Sequence, residues 1–230
     1  MKILQHKPLE QLLFVDIESR RLVEQLEEGT PLHESWLYKQ RYSSETEKFG
    51  DKRPEQTFLD KGSLYSEFSC PVCITVGRFS EGTFKMKSYC SANEVEILEG
   101  FSKDLSTFQS KSTAPITFVG FGIKGFDLPY MVRRYIINQI PLPDTLQLAG
   151  LKPWEQNHID LLELWRGGGW TSSSLLNVAV ALGLPSPKNK MDGSGVSDAF
   201  FEGRLDEVRE YCERDVETTF QIFKKMAYIK

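Results

Sequence analysis

The sequence predicts an α/β fold in which helices flank a mixed β-sheet. Two strand-like segments, residues 70–78 and 83–89, are separated by Ser80-Glu81-Gly82, which is typical of an antiparallel hairpin. After residue 90, segments with helical spacing of apolar residues alternate with short hydrophobic segments. Because such alternation indicates strands joined by helices, we expect strands of both orientations in one sheet.

The first predicted strand, residues 12–19, carries two carboxylates. Its run of apolar residues predicts a strand buried on both faces. Side chains alternate across a strand, so Asp16 and Glu18 should share one face with Phe14. Two such anions ~4 Å apart in an effective dielectric of ~20 repel by about 4 kcal/mol, which a bound cation would offset. Alternatively, the strand ends at Val15 and both carboxylates lie in a solvated turn.

The remaining elements follow in chain order. Residues 22–26 either begin a short helix or form an irregular connector, and residues 29–62 form a polar excursion that is partly helical around Trp36, Leu37 and Tyr38. Residues 158–165 could be strand or helix. A strand is expected at residues 115–121, and helices at residues 91–108, 126–138, 172–182, 198–203 and 205–226.

The composition is that of one globular domain. The 230 residues are 40% hydrophobic and 26% charged, with a formal net charge of −4, and they can bury a full core. No apolar run approaches the ~20 residues of a membrane helix. The N-terminus lacks the apolar stretch of a signal peptide, so we expect a cytoplasmic protein. The net negative charge argues against a protein that binds nucleic acid through overall positive charge. It does not argue against an enzyme that binds phosphate through a metal ion.

Two of the four cysteines, Cys70 and Cys73, have the spacing of a zinc knuckle. There is no second such pair, and none of the three histidines is near in sequence. Positions three apart in a strand also face opposite ways. We therefore expect reduced, buried thiols rather than a zinc site.

A third acidic residue, Asp127, lies where a predicted strand gives way to a helix. It stands two residues before Pro129, which suits a helix N-cap. Taken alone, this position favours the structural cap over a metal ligand.

The last predicted helix places one acid against the core. Its apolar stripe consists of Leu205, Val208, Cys212, Val216, Thr219, Phe220 and Phe223. Tyr211 and Asp215, one turn apart, lie along the edge of this stripe. A buried carboxylate without a partner is costly, and no Lys or Arg of this helix points towards Asp215. This pattern favours Asp215 as a ligand of a cation.

Together these segments resemble the DEDD superfamily of 3′→5′ exonucleases, which have a ribonuclease-H-like fold. Asp16-Ile17-Glu18 resembles the first motif of the superfamily, and Phe126-Asp127 the second. Tyr211-x-x-x-Asp215 is similar to the third motif of the tyrosine-bearing (DEDDy) subclass. Further segments, listed next, resemble bacterial proteins related to the proofreading domain of family B DNA polymerases. They are His158-Ile159-Asp160-Leu161, Pro185-Ser186-Pro187-Lys188, Asp192-Gly193-Ser194 and Glu202-Gly203-Arg204-Leu205.

The resemblance implies one exonuclease domain over residues 1–230, with an unmatched polar insertion at about 29–62. It implies hydrolysis at single-stranded or frayed DNA 3′ ends, with release of nucleoside 5′-monophosphates. Four carboxylates without His or Cys form a hard oxygen site, suited to two Mg²⁺ or Mn²⁺ ions.

The resemblance also implies a role for each site residue. Asp16 would lie between both ions, Glu18 and Asp215 would bind the ion that activates water, and Asp127 would act mainly from outside the directly bound ligands. Tyr211 would orient the water and help to deprotonate it.

One position departs from the family pattern. An Asn commonly stands five residues before the Asp of the second motif, near the scissile phosphate, whereas this chain has Gly122. Activity could be lower, or the phosphate could be held by Lys124 or by backbone amides. Ser19 keeps the hydroxyl of the Thr that the family often has, and Phe126 is the candidate to pack on the terminal base or sugar.

For other polar and aromatic residues, both substrate contact and a purely structural role are open. The pairs Arg133-Arg134 and Lys188/Lys190 could contact phosphates or be solvated, and Trp154, Trp165 and Trp170 could stack on bases or belong to the core. His158 and Asp160 are expected to be structural.

Two other functions stay open at this point. The same carboxylates would serve an exoribonuclease, and a chain that keeps the fold without catalysis would be a nucleic-acid-binding or polymerase-associated module. All four carboxylates are present, which favours the enzyme. The sequence does not indicate the sugar preference, the pathway or the oligomeric state, nor does it identify a replication or repair partner.

Overall fold

The computed structural model describes residues 4, 8–42, 50, 52–112, 114–169, 172–186 and 191–229. A five-stranded mixed sheet with the order β3-β2-β1-β4-β5 forms the centre. The strands are β1 Leu12–Arg21, β2 Ser69–Ser80, β3 Thr83–Cys90, β4 Thr117–Gly120 and β5 Ile159–Asp160. β1 and β3 both pair with β2 in antiparallel orientation, whereas β1–β4 and β4–β5 are parallel. The α/β class and the mixed sheet are confirmed.

Helices cover both faces of the sheet. They are α1 Pro31–Tyr42, α2 Pro54–Lys61, α3 Glu94–Ser110, α4 Asp127–Ile137, α5 Leu161–Arg166, α6 Leu175–Ala181, α7 Val196–Phe201 and α8 Leu205–Ala227. The ambiguous segment 158–165 contains both structures, because β5 ends at Asp160 and α5 begins at the next residue. Residues 22–26 form an irregular connector, and α2 is a helix that the sequence did not predict. Among the described residues, no helix is long and apolar enough to cross a membrane.

Strand β1 joins two hydrophobic cores. Leu13, Val15 and Ile17 pack in the core beneath α3 and α4, whereas Phe14 faces the core beneath α8. The Phe14 ring meets the ring of Phe223 edge-on, with centroids 5.3 Å apart. The predicted alternation of side chains is therefore confirmed. Because β1 continues to Arg21, the alternative in which it ends at Val15 is wrong.

The polar excursion forms a small core of its own. Trp36 of α1 and Phe58 of α2 are fully buried, with ring centroids 5.4 Å apart. The Trp36 indole N–H also donates to Thr57 Oγ1 at 3.0 Å. This internal packing explains how a polar segment can still form two helices.

The excursion is attached to the end of β1 that follows the acidic motif. The Arg21 guanidinium donates to the Leu59 carbonyl of α2 at 3.1 Å, and Ser19 Oγ donates at 2.7 Å to the carbonyl of Ser63, directly after the excursion. Asp198 of α7 pairs with the same guanidinium at 2.7 Å. The excursion therefore packs beside the strand that carries Asp16 and Glu18.

Candidate metal centre and active site

Three carboxylates from two elements converge at the α8 face of β1. One carboxylate oxygen from each of Asp16, Glu18 and Asp215 lies within 4.8 Å of the other two. Asp16 and Glu18 project from the same face of β1, and Asp215 reaches them from α8. A β-bulge follows directly, because Glu18 lies opposite Cys73 whereas Ser19 lies opposite Pro71.

Burial and mutual repulsion both disfavour the charged forms of the β1 carboxylates. Burial is the main reason why the pKa of Asp16 lies well above its usual value, and repulsion by Glu18 adds to it. Burial likewise raises the pKa of Glu18, followed by repulsion from Asp215 and then Asp127. A cation bound among these oxygens would remove the repulsion and restore the ionised forms.

Asp127 lies beside this cluster. It is the first residue of α4, and the N-cap position belongs to Phe126, so the N-cap interpretation of Asp127 is wrong. Only 6% of Asp127 is exposed. Burial raises its pKa to about 7, although hydrogen bonds from its own backbone amide and from that of Ile17 oppose the shift. The bond from Ile17 links Asp127 directly to β1.

Cys212 supports Asp16 from the helix side. Its buried thiol lies 3.5 Å from both the backbone carbonyl oxygen and Oδ2 of Asp16. This contact lowers the pKa of Asp16 and so opposes the effect of burial. The sequence placed Cys212 only in the apolar stripe of α8, since nothing in the helical spacing distinguishes a thiol that packs from one that also donates.

Tyr211 is partly buried and adjoins the carboxylates. Its hydroxyl hydrogen-bonds to Asp215, one helical turn away. Burial, followed by the negative potential of Glu18, raises the pKa of Tyr211 far above its ordinary value. The phenol therefore stays protonated at neutral pH and serves as a hydrogen-bond donor at the edge of the cluster.

Comparison with known protein families adds an independent result. A family described as predicted 3′-5′ exonucleases related to the exonuclease domain of PolB matches residues 64–230, well over half of the chain. The chain belongs to this exonuclease family. The matched residues include Asp127, Tyr211 and Asp215, whereas Asp16 and Glu18 precede the match and are brought to the site by the fold. No curated protein matches the chain.

The loop before α4 is held in place by Asp160 in this member of the exonuclease family. Its carboxylate accepts hydrogen bonds from the backbone amides of Gly122 at 2.8 Å and Lys124 at 3.1 Å. It also caps α5 through the amide of Leu162 at 2.9 Å. These bonds agree with the expected structural role of Asp160. His158 is structural as well, because its Nδ1 accepts a hydrogen bond from the backbone amide of Phe118 at 3.2 Å.

The three predicted substrate-binding residues of the exonuclease chain already have protein partners. Ser19 donates to a backbone carbonyl, as described above, and the buried Lys124 ammonium pairs with Glu163 at 3.0 Å. Phe126 is partly buried, and its ring centroid lies 5.5 Å from that of Tyr130. Contacts of these residues with a nucleotide stay predictions.

Other candidates for substrate contact differ in their surroundings. Arg134 is buried and forms a two-pronged ion pair with Glu94 at 2.6 and 2.5 Å, which is a structural role. Arg133 donates to Ser66 Oγ at 2.5 Å. Trp154 is 74% exposed, which is not a core position. Trp165 is also exposed, whereas Lys188, Lys190 and Trp170 lie outside the described residues.

Proposed function

We propose that this protein is a metal-dependent 3′→5′ exonuclease that acts on single-stranded or frayed DNA 3′ ends and releases nucleoside 5′-monophosphates. The convergence of Asp16, Glu18 and Asp215 supports this function most directly. Membership in a family of predicted 3′-5′ exonucleases supports it independently.

The donor set fits hard divalent cations. The three converging side chains offer only carboxylate oxygens, the ligands that Mg²⁺ and Mn²⁺ prefer in proteins. The burial and raised pKa values of Asp16 and Glu18 mean that the cluster is costly without a positive charge. Asp16, Glu18 and Asp215 would hold two such ions, with Asp127 beside them. When bound, the ions supply a nucleophilic water and stabilise charge on the attacking and leaving oxygens.

The protein's own side chains would orient the reactants. The protonated Tyr211 hydroxyl, tied to Asp215, is suited to position the attacking water. The Cys212 thiol fixes the orientation of Asp16. Phe126, next to Asp127, would pack on the terminal base or sugar. Ser19 and Lys124 would contribute to substrate binding if the nucleotide displaces or shares their present partners.

We also propose that residues 1–230 form one exonuclease domain of the DEDDy type, with residues 29–62 as an insertion, and that the protein works in the cytoplasm. The hydrogen bonds that tie Leu59 of α2 and the following Ser63 to the end of β1 support the assignment of this segment to the same domain.

The deciding experiment is a degradation assay with 3′- and 5′-labelled DNA and RNA oligonucleotides in Mg²⁺, Mn²⁺ or EDTA. We expect stepwise shortening from the 3′ end of DNA, none in EDTA, and none with the matched variant Asp16→Asn. An oligonucleotide blocked at its 3′-OH by a bulky group should survive.

Several outcomes would overturn the proposal. Cleavage of circular single-stranded DNA would indicate an endonuclease, and preferential digestion of RNA would make the protein an exoribonuclease. Binding of the oligonucleotides without hydrolysis under any metal condition would indicate a non-catalytic module.

A further inference from the structure

A cavity lies on the opposite side of the sheet from the carboxylates. It has a volume of about 270 Å³ and opens between α3 and the β2–β3 hairpin. Its floor reaches the main core, where Leu13, Phe101 and Leu105 are at most 5% exposed. Leu13 faces away from Asp16 across β1, so the sheet separates this cavity from the candidate active site.

Basic side chains line this apolar cavity. Arg78 and Lys111 line it together with two lysines of β3, Lys85 and Lys87, whereas Asp104 is the only acidic residue among its lining residues in the described part of the chain. The chain as a whole carries a formal net charge of −4, so this local excess of positive charge runs against the overall balance.

Two of the four cations are already neutralised. Lys87 pairs with Asp104, and Lys85 pairs with Glu81. Within the described ranges, the ion pairs do not include Arg78 or Lys111. These two cations can therefore receive an anion without first breaking an ion pair, although Arg78 also interacts electrostatically with the exposed Glu81.

Arg78 is also oriented by its neighbours. Its guanidinium carbon lies 5.2 Å from the ring centroid of Phe108, and one of its nitrogens donates to Ser80 Oγ at 3.1 Å. These contacts leave other N–H groups of the guanidinium for a ligand, since an arginine carries five donors.

General rules explain some of these cations singly. Lysines on an edge strand such as β3 discourage pairing between molecules, and a cation near a helix C-terminus is favourable, which suits Lys111 at the end of α3. Neither rule accounts for Arg78, which lies on the inner strand β2 and borders the same apolar cavity. An apolar cavity with basic residues at its border instead suits a ligand that has both an apolar part and a negative charge.

We propose that this cavity binds a small amphipathic anion, such as an aryl or short acyl carboxylate or phosphate. The apolar body would occupy the space above Leu13, Phe101 and Leu105, and the acidic group would meet Arg78 and Lys111. The cavity is close to the lower limit of about 300 Å³ for typical ligand pockets, so the ligand is small. This site is independent of the proposed nuclease function.

The test uses 8-anilinonaphthalene-1-sulfonate, a fluorescent aromatic anion, titrated into the full chain in EDTA. We expect saturable binding at one site that weakens as salt is raised. The double variant Arg78→Gln/Lys111→Gln should lose roughly tenfold or more in affinity, because it removes both charged donors to the acidic group. N-phenyl-1-naphthylamine, a neutral probe of similar shape, should bind the parent and this variant alike.

Two further variants make the result specific to the cavity. Thr107→Trp places a large ring at an exposed position on the border and should block the anion while keeping every charge. Lys103→Gln removes an exposed cation of the same helix that does not line the cavity and should change nothing. Circular dichroism checks that each variant is folded. Absence of saturable binding to the parent, or equal affinity in the parent and the folded double or Trp variants, would overturn the proposal.

Discussion

The thiol of Cys212 lies 3.5 Å from Oδ2 of Asp16 and bridges helix α8 to strand β1 at the carboxylate cluster. The thiol is a weak donor, but it contacts one of the three carboxylates of the cluster. Since this hydrogen bond lowers the pKa of Asp16, it favours the ionised form that a metal requires.

Removal of this thiol should weaken metal binding. In Cys212→Ala, Asp16 loses its donor and holds its proton more tightly, so we expect the apparent Kd for Mg²⁺ to rise by roughly three- to tenfold. Isothermal titration with Mg²⁺ at pH 7.5 measures this change, and excess Mg²⁺ should restore activity. Cys70→Ala, which removes another buried thiol, is the matched control. Equal Mg²⁺ affinity in both variants would reduce Cys212 to a packing residue.

Tyr211 should matter for turnover more than for folding. Tyr211→Phe keeps the ring and most of the buried area but removes the hydroxyl that bonds to Asp215. We expect kcat to fall by on the order of 10²-fold, with Tm and metal affinity nearly unchanged. Asp215→Asn should reduce both turnover and metal affinity, because it removes a ligand charge. If the folded Tyr211→Phe protein turns over at the parent rate, Tyr211 belongs to the core and not to catalysis.

The stability of the metal-free protein should fall as pH rises from about 4 to about 7. An acid whose pKa is higher in the folded protein than in the unfolded chain binds its proton more tightly when folded, so deprotonation costs stability. Asp127, with a pKa of about 7, follows this rule, and Asp16 and Glu18 add to it. The total effect is on the order of a few kcal/mol.

Thermal unfolding in EDTA at several pH values measures this effect, with a Tm several degrees lower at pH 8 than at pH 5. Mg²⁺ should remove most of the difference at pH 8, because it binds the ionised cluster of the folded protein. Asp127→Asn should flatten part of the pH dependence. A Tm in EDTA that increases with pH over this range would contradict the predicted sign.

Gly122 offers a test of the expectation, from the resemblance to the DEDD superfamily, that an Asn at this position contacts the scissile phosphate. Its φ of +84° is rare for residues with a side chain, although Asn tolerates positive φ better than Ala. An added Cβ would meet Leu162 only at 3.7 Å, so space is sufficient. We therefore expect Gly122→Asn to lower Tm less than Gly122→Ala and to raise kcat/KM several-fold by supplying an amide near the phosphate. Unchanged kcat/KM in a folded Gly122→Asn protein would show that the amide is not needed.

The sequence predicted β1 and α8 well because their periodicities are strict. A strand buried on both faces permits few registers, and alternation alone placed Asp16 and Glu18 on one face with Phe14, which in the structure is the face that α8 covers. The apolar stripe of α8 likewise set Tyr211 and Asp215 at its edge, one turn apart. These residues meet because two regular elements cross, and the sequence predicted their convergence only through the resemblance of its motifs to the DEDD superfamily.

Features that depend on tertiary contacts were not predictable in this way. Helix α2 forms in a polar segment because Phe58 packs on Trp36, a contact across more than twenty residues. Asp127 is the first residue of α4 rather than its N-cap, and its carboxylate accepts hydrogen bonds from its own backbone amide and from the Ile17 amide of β1. The burial of Arg134 against Glu94 likewise depends on how α3 and α4 dock.

Strand β1 carries two of the carboxylates and also holds the two cores together. Local fraying therefore cannot release the acidic motif while the rest of the molecule stays native. Amide hydrogens in the middle of β1 that bond to β2 should exchange with solvent only through global unfolding. The candidate active site is thus rigid on its strand side, and any movement that admits a substrate or releases a product must occur in the elements around β1.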